Sequence, residues 1–212
     1  MKPVREGWAA IALVAFMMLG SLYFAPPVAL FLAPLLPGAF WFFRDPDRQA
    51  EKEGYLSPAD GVVAGVERGE FPSIGKALRI SIETGLFDVH VNRSPCDGVV
   101  ERLVRYPGRM KAGAATNTQR KWERTIIELS TDFGLVILAQ TAGFPGRDVV
   151  CRLSKDKRVS RGERYGLMAS ASRVDLYVPA GTRAQVEEGD RVLAGTSVLA
   201  VPGLFPQNMN LK

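Results

Sequence analysis

The chain has 212 residues, a formal net charge of +5 and an apolar fraction of 47%. Its single histidine, His90, excludes a zinc site built on several histidines, and its two cysteines, Cys96 and Cys151, lack metal-ligand spacing. The mild positive excess suits an anionic lipid surface; with no phosphate-binding glycine loop in sight, neither a nucleic acid nor a metal is expected as a partner.

Taken in chain order, the first feature is a run of 17 uncharged residues from Trp8 to Phe24. After Ala25-Pro26-Pro27 a second uncharged run extends from Val28 to Phe43. A spanning helix needs about 20 apolar residues, so both runs are short, and Pro34 and Pro37 interrupt the second. The pattern admits two short spanning helices or a re-entrant hairpin in one leaflet. Residues 1–43 are read as a membrane hairpin. The basic flanks Lys2, Arg5, Arg44, Arg48 and Lys52 place both of its ends on the cytoplasmic side of the cell membrane. Residues 44–212 then form a cytosolic domain, in which the thiols stay reduced.

That second part reads as one mainly β domain (β-rich α+β). Short β-branched runs begin at Gly61, Leu78, Phe87, Thr125, Leu135, Val149 and Arg173, separated by glycine, proline and aspartate. Several alternate apolar with polar residues, as half-buried strands do. Strands do not alternate with helices, so a doubly wound nucleotide-binding fold is excluded. Residues 112–121 read as an irregular or briefly helical loop. The stretch 186–200 resembles the glycine-punctuated strands of biotinyl- and lipoyl-type half-barrels, with Gly189 and Gly195 at tight turns. A plain β-hairpin is the simpler reading of the same residues.

Four segments carry a more specific pattern. They are Phe42-Phe43-Arg44-Asp45-Pro46-Asp47-Arg48, then Ser57-Pro58-Ala59-Asp60-Gly61, then Phe87-Asp88-Val89-His90-Val91-Asn92-Arg93-Ser94-Pro95, and finally residues 162–179. In this order and spacing the chain resembles the short, membrane-anchored phosphatidylserine decarboxylase proenzymes. The resemblance implies a β-rich domain with half-barrel or hammerhead-like strands behind an apolar helical hairpin. It implies a lyase that converts phosphatidylserine to phosphatidylethanolamine and CO2. Losing CO2 from an amino acid requires an electron sink, commonly pyridoxal phosphate. This family instead makes a covalent pyruvoyl group from a serine of its own chain.

By position that serine is Ser172. Self-cleavage between Ala171 and Ser172 would give fragments 1–171 and 172–212, the second remaining as a small subunit. The resemblance assigns His90 and Asp60 to the base, with the aspartate orienting the imidazole. Arg93 and Arg147 are assigned to the phosphate and carboxylate of the lipid. A homodimer is a further expectation. The sequence departs from the family pattern at Ala169-Ser170-Ala171, where Arg-Phe-Gly is usual, and again around Ala112, Trp122 and Pro145. These departures support a second reading, a cleavage-deficient relative that binds anionic phospholipid without turning it over. A third, a lipoyl-like module modified on Lys111, lacks the flanking residues such a lysine requires.

Overall fold

The computed structural model describes residues 2–50, 53–108, 123–143, 149–168 and 172–203. The chain divides into two compact units, Met1–Asp47 and Arg48–Lys212.

In the first unit, strand β1 (Lys2–Pro3) precedes helices α1 (Gly7–Phe24), α2 (Pro26–Leu32) and α3 (Leu35–Phe42), and strand β2 (Arg44–Asp45) follows. Helix α1 is long and apolar enough to cross a membrane, with a mean hydropathy of 1.8. At 1.5 Å per residue it measures about 27 Å, close to a bilayer core. Only Gly7 and Ile11 are buried along it, while Leu13, Phe16, Leu19 and Leu22 stand exposed. A helix apolar on every side needs an apolar solvent. Mid-helix polarity is capped locally: Ser21 Oγ donates to the Met18 carbonyl at 2.8 Å.

The second apolar run is broken into α2 and α3 between Ala33 and Pro34, and neither piece is long enough to span. Prolines 26, 27 and 37 occupy first turns, where a missing N–H is harmless. Strands β1 and β2 pair Lys2 with Asp45 and Pro3 with Arg44, and the N–H of Val4 donates to Phe43 at 2.9 Å. The unit is therefore a closed hairpin whose basic ends lie together.

The second unit begins with β3 (Tyr55–Leu56), β4 (Gly61–Phe71), β5 (Gly75–Thr84), β6 (Val91–Arg93) and β7 (Gly98–Tyr106). It continues with β8 (Arg124–Thr131), β9 (Gly134–Thr141), β10 (Val149–Cys151), β11 (Arg158–Val159) and β12 (Arg164–Met168). The last strands are β13 (Ser172–Pro179), β14 (Arg183–Ala184), β15 (Arg191–Val192) and β16 (Val198–Val201). Eight of them form a curled antiparallel sheet in the order β11-β7-β8-β9-β13-β5-β4-β15. Two three-stranded sheets, β10-β12-β6 and β14-β16-β3, complete this unit among the described residues. The β-rich, half-barrel architecture expected from the sequence is what the chain adopts.

The core lies on one face of the large sheet. Register aligns Ile80 with Leu176, Leu176 with Leu138, and Leu138 with Ile127, all essentially inaccessible to solvent. Alternation then leaves Arg173, Asp175 and Tyr177 on the opposite face. There Asp175 accepts from Ser81 Oγ and Arg173 Nε, each at 2.7 Å.

Two local expectations are corrected. The run from Phe87 is not a strand until Val91, because Gly85–Asp88 forms a turn in which Asp88 accepts the Gly85 N–H at 2.8 Å. Residues 186–200 do not form a hairpin: β15 pairs with β4, and β16 with β14 and β3. Gly189 (φ 94°) and Gly195 (φ 71°) hold the turns that send the two strands into different sheets.

Candidate active site

The site is built where the apolar rows of the large sheet stop. Two residues along from Ile80 and Leu176 the paired row reads Ile82, Val174, Gln140 and Thr125, and beyond it Thr84 faces Ser172. The buried layer at this end of the sheet thus mixes Ile82 and Val174 with the hydroxyls of Thr125, Thr84 and Ser172 and the amide of Gln140.

Ser172 opens strand β13 and is 3% exposed. Its Oγ has no hydrogen-bond partner among the described residues. Its ladder neighbour Thr84 donates through Oγ1 to the Asp60 carbonyl at 2.8 Å, which joins the serine strand to the Asp60 segment. Gly61 makes that joint feasible. A Cβ at this position, with φ at 153°, would stand 2.0 Å from the Glu83 carbonyl oxygen, so only glycine lets β4 approach β5 there.

The Asp60 carboxylate is buried and fully engaged. Arg48 grips it in a bidentate pair at 2.5 and 2.8 Å, and the N–H of Ala194 adds a third bond at 2.7 Å. Arg48 also donates to the Ala194 carbonyl at 2.9 Å. Such charge-assisted, bidentate bonds fix a carboxylate's orientation as well as its charge. Pro58, two residues back, accepts from the Arg93 N–H at 3.0 Å and from Asn92 Nδ2 at 3.3 Å. Asn92 Oδ1 in turn accepts from Gln140 Nε2 at 2.9 Å, tying β6 to the large sheet.

His90 stands one residue before β6 and is 5% exposed. Its carbonyl accepts the Met168 N–H at 3.0 Å, and Val91 pairs with Leu167. The chain therefore leaves the described residues at Met168, beside His90, and re-enters them at Ser172, beside Thr84 and the Asp60 segment. Ser172 thus lies beside the Asp60 segment through Thr84, and His90 lies beside the end of β12. Arg93 is buried, donates to the Gly162 carbonyl at 3.1 Å, and passes so close to Gly195 that a Cβ there would meet its Cδ at 2.6 Å. Arg147, Ala171, Lys111 and the loop expected at 112–121 lie outside the described residues.

No thiol competes with the serine as nucleophile. Burial, reinforced by Asp97, pushes the Cys96 thiol up to about 12, and burial also raises Cys151. Sequence reasoning gave no part in the site to Arg48, which it read only as a basic flank, or to Thr84, Asn92, Gln140 or Ala194. Arg48 and Asn92 had a visible mark, their places in the first and third of the four segments.

Comparison with known proteins identifies the family. The phosphatidylserine decarboxylase family model matches residues 38–200. The chain is similar to the phosphatidylserine decarboxylase proenzyme of Burkholderia lata, with 37% identity over 205 residues that cover 92% of this chain and 94% of that protein. The proenzyme of Burkholderia vietnamiensis is matched at 37% and that of Burkholderia multivorans at 36%, each with the same coverage. With the family model spanning most of the chain and these relatives covering nearly all of it, the chain belongs to the phosphatidylserine decarboxylase family.

Proposed function

We propose that this chain decarboxylates phosphatidylserine to phosphatidylethanolamine and CO2, using a pyruvoyl group made from Ser172. The observation that carries the reading is the Ser172 hydroxyl, buried at the head of a central strand, without a partner among the described residues, and beside the Asp60 segment. An orphaned buried hydroxyl is costly to keep. Its retention fits a group that reacts.

In this reading His90 takes the Ser172 proton, and the charge of Asp60, pinned by Arg48 and Ala194, steadies the imidazolium. Ser172 Oγ attacks the Ala171 carbonyl carbon, and the acyl group passes from nitrogen to oxygen. Elimination leaves Ala171 with a carboxylate and residue 172 as dehydroalanine; hydrolysis then releases ammonia and leaves the ketone. The fold suits a cut at this point. Arg173 to Pro179 remain paired to β5 and β9, β15 to β4, and β16 to β3, so fragment 172–212 stays in place. The pyruvoyl ketone supplies the electron sink that decarboxylation requires. Arg93 and Arg147 serve the anionic head group in this proposal, and residues 1–43 anchor residues 44–212 on the cytoplasmic face, as the clustered basic ends favour.

Intact-mass spectrometry tests the proposal directly. The wild-type chain is expected as fragments 1–171 and 172–212, the smaller with a pyruvoyl end, and Ser172→Ala as one uncut chain. A wild-type chain that stays whole on long incubation has no electron sink and overturns the proposal.

A further inference from the structure

Four exposed apolar side chains of the β unit stand on segments that are tied to one another. Val62 lies on β4, Leu86 and Phe87 in the turn before His90, and Leu193 just after β15; they are 37%, 51%, 69% and 45% exposed. Val62 pairs with Arg191, and the Arg191 guanidinium forms an ion pair with Asp88, the residue that closes the turn displaying Leu86 and Phe87. Every one of these segments also carries a piece of the candidate site. Val62 is two residues from Asp60, Phe87 is three before His90, and Leu193 precedes the Ala194 whose N–H holds the Asp60 carboxylate. The apolar surface therefore follows the groups that would do the chemistry.

Large side chains clustered in water around a site mark a surface that something apolar covers. The occupant follows from the substrate class, and on this point the inference rests on the proposed function. A phospholipid is held in the bilayer by its acyl chains, while the serine at which it would react here is 3% exposed. The head group reaches that depth only if the mouth of the site meets the membrane interface. Phenylalanine and leucine beside the exposed Arg191 are the side chains that suit this boundary. We infer that Val62, Leu86, Phe87 and Leu193 form a rim that seats the site on the bilayer interface, so that a serine lipid is processed without leaving the membrane.

The test uses the full chain reconstituted into phosphatidylcholine vesicles containing phosphatidylserine. Cys96 and Cys151 are buried, so an environment-sensitive label goes to an introduced thiol. On Phe87→Cys its emission is expected to shift to the blue and to be quenched by nitroxide lipids. On Phe133→Cys, 51% exposed in the β8–β9 turn at the far end of β9 from the site, it is expected to stay in water. In the Leu86→Ser/Phe87→Ser double variant, the ratio of turnover on vesicles to turnover on a monomeric short-chain serine phospholipid should fall about tenfold or more, given the apolar area involved. A label at position 87 that remains in water in the inserted protein overturns the inference. So does an unchanged ratio, or quenching that depends on contact between protein copies rather than on lipid. If the wild-type chain yields no product from either lipid, the decarboxylase reading fails, and the label alone decides the docking.

Discussion

Two ends of the same set of strands differ in kind. Midway along them, Ile80, Leu176, Leu138 and Ile127 form a row that only packs; in the next two rows Gln140, Thr125, Thr84 and Ser172 take inward positions beside Ile82 and Val174. Burial is the same in both places, and pairing differs at Ser172, which is laddered to β5 alone. The main change is in side-chain chemistry, which separates the part of the sheet that holds the fold from the part that holds reactive groups. An inward hydroxyl or amide contributes little packing and must find a partner or a function.

The largest effect that tests this division is at Ser172. Ser172→Ala should abolish self-cleavage and all product while leaving thermal unfolding nearly where it was; a stability loss matching that of a core truncation would erase the distinction. Next is Arg48→Gln, which strands the buried Asp60 charge and should cost ~3–5 kcal/mol in denaturant unfolding, with slower cleavage. Arg48→Lys, which keeps the charge but loses the fork, should recover part of it. Leu176→Ala, in the packing row, should cost ~2–5 kcal/mol of stability, and the protein that remains folded should still cut itself at Ser172.

The last effect is graded by pH and absent at neutrality. The Cys96 thiol ionises above 9.0 when the chain is unfolded but only near 12 when it is folded, because burial disfavours the thiolate. The stability it contributes is complete below pH 9 and is lost as pH rises toward 12, with the slope of one titrating proton. Chemical unfolding of wild type and Cys96→Ala across that range checks it: the variant should show a shallower alkaline decline.

Much of this protein was legible along the chain. Uncharged runs marked the helical hairpin because a span is a local property of length and composition. Period-two alternation marked β5 and β13, since pleating sends neighbouring side chains to opposite faces, and short β-branched runs marked β8 and β9. Four short segments in register pointed to the family and, through it, to Ser172, His90 and Asp60. The turn at Gly85–Asp88 was missed because one side-chain bond from Asp88 outweighs the β-branched run after it. The separate destinations of β15 and β16 were missed because strand partners are chosen by long-range pairing. What only the tertiary structure decided is the company these residues keep. The Arg48 grip on Asp60, the Thr84 link to Ser172, and the apolar rim held by Arg191 and Asp88 join residues 12, 88 and 103 positions apart. Local sequence carries propensity and pattern; a contact between distant residues exists only once the sheet has set its register.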